Sequence, residues 1–454
     1  MSALLISTYD LGRSPFGLAS PAAWLAREGV AVRCLDLGVE SLDRDAVRDA
    51  DLIGFFLPMH TATRLAARVI PEVRALAPRA HLCAYGLYAS PNAEYLRSLG
   101  VSTVLGGEFE RELADLARAL RTGAAGAVGD SGISLERLEF LTPDRSGMPA
   151  PARYARLRVG AAERITGYTE ASRGCRHLCR HCPVPVVYGG RFRVVPHAVV
   201  LEDVRRQVAA GARHITFGDP DFLNGPGHAF PLVEALHREH PDLSYDVTIK
   251  VEHLLRHRDR LGVLRDTGCA FVTSALESVD DAALARLEKG HTRADIEAVV
   301  GRLRAIRLPL QPTFVAFMPW TTLAGYRELL RAIAELDLVD ATGPVQLAIR
   351  LLLPRGSRLL ELTEVRAVAG EFDRAALLHP WRHPDPEVDA LQARIEALVR
   401  RSGAGAAPGR ERRALFARVA ALAGAEVGED SNALAAGRVA PRAPVPFLTE
   451  PWYC

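Results

Sequence analysis

The stretch TEASRGCRHLCRHCPVP, Thr169 to Pro185, holds three cysteines within eight residues: Cys175, then Cys179 after three residues, then Cys182 after two. An apolar run, Gly167–Ser172, leads into it and reads as a strand, which puts the cysteines on the loop leaving a strand end. The chain has seven cysteines, an odd number, and this clustering points to metal rather than disulfides. Three thiolates on one tight loop can hold three irons of a 4Fe–4S cluster and leave the fourth iron open. The competing reading is a closed zinc site with His177 or His181 as fourth ligand.

Outward from this loop, apolar runs alternate with helical patterns. Candidate strands are Gly167–Ser172, His214–Gly218, Ser244–Lys250, Ala270–Leu276, Leu310–Phe317 and Val345–Leu352. Helical stretches such as Leu201–Ala210, Phe230–Glu239 and Arg293–Ile306 separate them. Six βα units predict a partial barrel over residues 166–356, with its chemistry at the carboxyl ends of the strands. The cysteine loop follows the first of them.

Ahead of the barrel, residues 1–125 also alternate. Candidate strands are Ala3–Ser7, Ala31–Asp36, Asp51–Phe56, His81–Tyr85 and Val101–Leu105. Leu65, Val69, Ile70 and Val73 share one face of a helix over Thr61–Ala77. This predicts an α/β doubly wound parallel sheet. Residues 126–165, rich in Gly, Ala and Pro, read as a linker. Residues 357–454 read as a mostly helical tail, with helices Val388–Arg401 and Arg410–Ala423 and an extended, Pro-rich end. Cys34, Cys83 and Cys269 fall in or beside strands and read as small core hydrophobes.

The totals exclude little. With 454 residues the chain has room for two to four domains. A net charge of +2, from 56 basic and 54 acidic residues, gives no global argument for nucleic acid or an anionic membrane as partner. No apolar run reaches membrane-spanning length and MSALLISTYD lacks the features of a signal peptide, so the expected location is cytoplasmic.

The cysteine spacing resembles the signature of the radical S-adenosylmethionine (SAM) superfamily, and further matches follow in barrel order. The resemblance implies a 4Fe–4S cluster on Cys175, Cys179 and Cys182, with SAM chelating the open iron. In that family a planar residue before the last cysteine packs near the SAM adenine, which implies this role for His181. The second strand ends HITFGDPDF, where the family often has Gly-Gly-Glu contacting the SAM amino group. Gly218, Asp219 and Asp221 occupy that place. The fourth strand runs into FVTSALESVDD, and Glu277 matches a position that binds the SAM ribose hydroxyls. ARLEKGHT follows, as in many members with a Lys-Gly-His/Thr turn. QLAIRLLLPRGSRL resembles the late-barrel segment, which makes Arg350 a partner for the SAM carboxylate. Each of these residues also has a plain structural reading: Asp221 as a helix cap, Glu277 as a turn residue, Arg350 as an interior ion-pair partner.

A doubly wound domain ahead of such a barrel is similar to the cobalamin-binding class. LGGEFERELADLARAL, residues 105–120, resembles the end of that domain, where a Gly-Glu pair opens the last helix. The class carries Asp-x-His-x-x-Gly after its first strand. Here Asp10 is followed by LGRSPFG, so that cobalt-ligating histidine is absent. The domain either binds cobalamin without a histidine ligand or keeps the fold as a scaffold. Met59, His60 and Thr61 lie where such domains meet their ligand, or simply open the following helix.

The chain ends EPWYC. Together with CRHCPVPVVYGGRFRVVP and ITFGDPDFLNGPGHAF, this ending resembles bacterial radical SAM proteins with a Cys-Cys-Ala-Glu-Pro or Cys-selenocysteine-Ala-Glu-Pro tail. The resemblance implies that Cys454 is half of a thiol–selenol pair, its selenocysteine codon having been read as a stop.

The expectation is therefore a radical SAM enzyme acting on a small molecule, fed electrons by a reductant such as flavodoxin or ferredoxin. Radical steps build up little charge, so few acid–base residues mark the substrate. Lys250 and Cys454 are the candidate catalytic residues, and His228 a substrate-side candidate. Two alternatives stand: a cobalamin-dependent radical SAM methyltransferase, and a zinc-stabilised scaffold without turnover. No nucleic-acid or membrane partner is expected, because the arginines of the tail (Arg400, Arg401, Arg410, Arg412, Arg413) are interleaved with Ala and Leu as on a solvated helix face.

Overall fold

The computed structural model describes residues 1–123, 132–401, 408–425 and 445–449. Its first sheet is built from six parallel strands: β1 (Ser2–Ser7), β2 (Ala31–Asp36), β3 (Leu52–Phe56), β4 (His81–Tyr85), β5 (Thr103–Gly107) and β6 (Gly132–Ser134), in the order β2-β1-β3-β4-β5-β6. Strands β1, β3 and β4 are near-continuous apolar runs because both faces are covered. Leu4, Ile6, Ile53 and Phe55 pack on one face; Leu5, Leu52, Cys83 and Tyr85 pack on the other. The strand order reverses between β1 and β3, which opens a crevice at their carboxyl ends.

The second sheet starts with an antiparallel hairpin, β7 (Arg156–Val159) and β8 (Ala162–Thr169). Parallel strands β11 (His214–Phe217), β12 (Ser244–Thr248), β13 (Cys269–Glu277) and β14 (Leu310–Phe314) then curl away from β8. Between them, β9 (Ser172–Gly174) and β10 (Phe192–Val194) pair antiparallel and bracket the cysteine loop. A two-residue strand, β15 (Phe447–Leu448), closes the far edge on β7. The sheet order is β14-β13-β12-β11-β8-β7-β15, a half-barrel.

The sixth barrel strand expected over Val345–Leu352 does not form. Pro344, which has no N–H, opens a 3-10 turn, Pro344–Leu347. The ladder survives as one parallel bridge between Phe317 and Arg350. Gln346 substitutes for the missing strand, its Oε1 accepting the Phe314 amide at 2.8 Å. The stretch read as a linker supplies β6 and β7, and Arg145 within it anchors on buried Asp203 at 2.7 Å. The helices Pro386–Arg401 and Arg410–Ala423 are not a loose tail: Leu391, Ile395, Phe416 and Val419 join the barrel core. Cys34, Cys83 and Cys269 are buried; burial pushes the Cys34 thiol up to about 12 and the other two upward as well.

Candidate active site

The cysteine loop leaves β9 through Gly174, whose φ of +72° is left-handed. A Cβ there would lie 2.4 Å from the Arg191 carbonyl, so the turn requires glycine. Cys175 and Cys179 are 9% and 7% exposed, and Cys182 is half-buried. All three are free thiols. Asn224 Oδ1 accepts the Arg176 amide at 3.2 Å and lies 3.8 Å from Cys175 Sγ. Burial, then the neighbouring sulfurs, push Cys182 up to about 12; Cys175 is raised mainly by burial. Thiolate is the ligating form, so a cation at these sulfurs releases their protons. Three soft donors on one loop, with the other described cysteines, Cys34, Cys83 and Cys269, buried in or beside strands, suit a cluster with one open iron.

Beside the loop, β13 ends in a bulge that leaves Glu277 at φ +65°. A left-handed glutamate is strained and persists where its surroundings hold it. Here His181 Nε2 lies 2.9 Å and Lys289 Nζ 3.4 Å from its Oε1. Burial alone would raise its pKa, but Lys289 and His181 outweigh it and hold the carboxyl at about 2. The two expected SAM contacts, His181 and Glu277, are thus brought together. Lys289, from the Lys-Gly-His turn, is the partner that strand and loop reading did not assign.

After β11, Gly218 leaves no room for a side chain, since a Cβ would lie 1.8 Å from Tyr168 Oη. Asp219 turns inward and accepts hydrogen bonds from Ala171 N (2.9 Å) and Ser172 Oγ (2.5 Å). Burial, partly offset by those bonds, raises it to about 7. Asp219 therefore braces the approach to the cysteine loop. Asp221 Oδ1 caps the short turn that follows, accepting the Leu223 amide, while Oδ2 faces His253 and His177. Lys250 is buried and lies 3.0 Å from His177 Nδ1 and 3.3 Å from Glu252 Oε2.

Arg350 enters a half-buried ion pair instead of meeting the loop. It donates to Asp389 Oδ1 and the Trp381 carbonyl, both at 2.6 Å, with its guanidinium 3.6 Å from the centre of the Trp381 ring. His228 is packed against His197, ring centroids 4.4 Å apart, and burial lowers it to about 4. Cys454 lies outside the described residues.

The two domains meet over a buried charge cluster that strand patterns do not reveal. Arg173, two residues before Cys175, lies 3.2 Å from Glu108, 2.6 Å from Glu110 and 2.8 Å from Glu170. Glu108 and Glu110 come from the Gly-Glu segment after β5, so the first domain grips the strand that leads into the loop. Beside this cluster is a cavity of about 230 Å³ at the carboxyl ends of β1, β3, β4 and β5, facing Gly174 and Gly218. Asp10, Arg13, Met59, Tyr168, Glu170 and Arg173 line it. Burial raises Asp10 to about 7 despite Arg13. His60 points elsewhere, its Nε2 2.7 Å from the Ala376 carbonyl, and Thr61 lies within the helix His60–Leu76, where it caps nothing. The cavity lies at the β1/β3 crevice, where a doubly wound sheet meets its ligand. Its lining offers the Met59 thioether and neither histidine nor cysteine.

Comparison with known proteins agrees with this arrangement. Residues 169–332 match the Radical SAM superfamily. A tRNA-2-methylthio-N(6)-dimethylallyladenosine synthase from Novosphingobium aromaticivorans is 27% identical over 222 residues, 44% of this chain and 46% of that protein. The ribosomal protein uS12 methylthiotransferase RimO from Geobacter sulfurreducens is 24% identical over 221 residues, 44% of this chain and 48% of that protein. The chain thus spans about half the length of the curated relatives it matches. Among solved structures, the cobalamin-dependent SAM radical enzyme OxsB, with aqua-cobalamin and SAM bound, superimposes with a TM-score of 0.72 at 14% identity, covering 93% of this chain and 71% of that one. The radical SAM methyltransferase TsrM from Kitasatospora setae, with cobalamin and a 4Fe–4S cluster bound, gives 0.58 at 20% identity, covering 74% and 70%. The matched stretch holds the three cysteines, His181, Glu277 and Lys289, and the superfamily it matches is one that uses a 4Fe–4S cluster and SAM. Two relatives named for tRNA and a ribosomal protein remove the ground for excluding nucleic acid as a substrate. Among the described residues, no helix is long and apolar enough to cross a membrane.

Proposed function

We propose that the protein cleaves SAM reductively at Cys175, Cys179 and Cys182 and directs the resulting radical at a substrate held in the cavity between the two domains. The observation that carries this reading is the meeting of three free thiols, two buried and one half-buried, with the His181–Glu277–Lys289 group at one strand-end mouth. When bound, the 4Fe–4S cluster supplies one electron to SAM, whose carbon–sulfur bond breaks to give methionine and a 5′-deoxyadenosyl radical.

The chain's own residues orient that chemistry. Glu277 stays ionised over the working pH range; His181 and Lys289 both sit on its Oε1, which leaves Oε2 to accept from a ribose hydroxyl. His181 is fixed edgewise by Glu277, which sets its plane for the adenine. Gly218 keeps the backbone beside SAM bare, while Asp219 holds Ala171 and Ser172 in place. Asp221 and Lys250 lie on the His177 side of the loop. We assign the SAM carboxylate to groups other than Arg350, which is already committed to Asp389.

A small molecule is the substrate class that suits a cavity of about 230 Å³ lined by Arg173 and Tyr188. The cavity's place at the β1/β3 crevice also favours a second reading, cobalamin-dependent methyl transfer with no histidine on cobalt.

Electron paramagnetic resonance of the reduced, reconstituted protein tests the site. SAM should alter the cluster signal, and Glu277→Gln should raise the SAM concentration needed roughly tenfold or more, the loss of one charge-assisted contact. An unchanged signal at saturating SAM would refute the assignment. Cobalamin added to the same protein separates the readings: retention through desalting, with its absorption spectrum, supports methyl transfer, and loss supports the first.

A further inference from the structure

Against the cysteine loop, apart from its sulfur set, three nitrogen and oxygen donors converge. His177 rides on the loop, Asp221 follows β11, and His253 sits in the helix Val251–Arg256 after β12. His253 Nδ1 lies 2.7 Å and His177 Nε2 3.4 Å from Asp221 Oδ2, and all three ligand atoms fall within 4.8 Å of one another. The side chains are 4%, 14% and 2% exposed for His253, His177 and Asp221. The two imidazoles are tilted by 57° with centroids 4.7 Å apart, so they are not stacked on each other. Close as they are, these contacts lack hydrogen-bond alignment: His177 Nε2, His253 Nδ1 and Asp221 Oδ2 are all buried without a hydrogen-bond partner. Ion-pair contacts hold both imidazoles to Asp221, but without aligned hydrogen bonds the three buried groups stay poorly satisfied, and one cation between them would satisfy all three.

We propose that His177, Asp221 and His253 form a mononuclear site for a divalent cation of the zinc type, separate from the three cysteines. Two imidazoles and a carboxylate suit zinc, and three protein ligands leave a position for water or a substrate oxygen. Tetrahedral bonds of about 2.1 Å put ligand atoms about 3.4 Å apart; the His177–Asp221 edge of 3.4 Å matches that spacing and the His253–Asp221 edge of 2.7 Å is shorter. Ligation through His177 Nε2 keeps the proton on Nδ1. Glu252 Oε2, 3.7 Å from Nδ1, lies just beyond hydrogen-bond distance and is the carboxylate placed to take this proton once the ring is ligated. Lys250, now 3.0 Å from Nδ1, then stays on Glu252, which it already meets at 3.3 Å.

The inference does not rest on SAM cleavage, and metal content tests it directly. The full chain is reconstituted anaerobically with iron and sulfide, exposed to Zn²⁺ or Co²⁺, desalted and analysed for metals and acid-labile sulfide. The expected result is one equivalent of zinc per chain above the iron, lost in His253→Gln and Asp221→Asn while iron and sulfide are kept. The triple variant Cys175→Ala, Cys179→Ala, Cys182→Ala should lose iron and keep the zinc. Should that variant fail to fold, the wild-type Co²⁺ spectrum decides: d–d bands without a thiolate charge-transfer band support the site. Absence of zinc, zinc retained in both His253→Gln and Asp221→Asn, or a strong thiolate-to-cobalt band would overturn it. Failure to bind iron would be a separate result, bearing on the cysteines alone.

Discussion

Replacing Arg173 by methionine should uncouple the first domain from the cysteine loop. The guanidinium is buried and faces three carboxylates at 2.6, 2.8 and 3.2 Å, two of them on the other domain. Methionine keeps much of the volume and the contact with Phe16 and Phe109, so the loss is chiefly of charge. Removing one partner of a buried ion pair costs about 3–5 kcal/mol, because the groups left behind are neither paired nor solvated. The deficit depends on pH. Burial already raises Glu108 and Glu170 above their ordinary values, and Arg173 opposes that rise. Without it their folded-state pKa values climb further. A carboxyl raised on folding favours the folded state below its unfolded pKa and loses that advantage as pH rises through the folded one. The deficit of Arg173→Met should therefore be small near pH 5 and grow toward pH 8. Urea unfolding followed by tryptophan fluorescence measures it, with Glu110→Gln and the double variant completing a cycle. The double variant should be more stable than the sum of the two losses predicts, by at least about 1 kcal/mol. A pH-independent deficit below about 1 kcal/mol, with additive losses, would refute the account of this interface.

Further outcomes follow from the same geometry. Gly218→Ala places a methyl group 1.8 Å from Tyr168 Oη, so it should cost about 1–3 kcal/mol in thermal or urea unfolding and weaken SAM binding; a neutral variant would show that Tyr168 moves freely. Asp10 titrates near 7 when folded, so wild-type stability relative to Asp10→Asn should fall between pH 5 and 7 by up to about 1.4 kcal/mol per unit, then level off; a flat difference over that range would contradict its buried, raised state. Glu277 is depressed to about 2, so its stabilisation is present above about pH 4.5 and lost below it. Acid unfolding of the cluster-free chain should accordingly be steeper in wild type than in Glu277→Gln, and equal slopes would argue against the Lys289 and His181 contacts.

Most of the fold could be read from apolar periodicity, because parallel strands buried on both faces leave long uniform runs such as Leu52–Phe56. Where tertiary partners decide, the pattern failed. Val345–Leu352 is apolar enough for a strand, yet Pro344 and the Gln346 side chain satisfy the edge of β14 without one. Residues 132–165 hid β6 and β7 because strands of three or four residues carry little periodicity, and the hairpin from β7 to β8 turns at Gly160. The cysteine loop was legible since its ligands are local in sequence. The meeting of His181 with Glu277 was not, because it joins residues far apart in the chain. Charged clusters were least legible: Arg173 with Glu108, and Asp221 with His177 and His253, are ordinary surface residue types until the fold buries them. Arg350 shows the reverse, a residue suited to SAM that the fold turned toward Asp389.

The central claim, that the three cysteines support reductive cleavage of SAM, is most directly tested by assaying 5′-deoxyadenosine after anaerobic reconstitution, reduction and addition of SAM. The account predicts its release by the wild-type chain and its loss in Cys179→Ala. Release that survives in Cys179→Ala, or no release from a protein that binds zinc at the cysteines and takes up no iron, would contradict it.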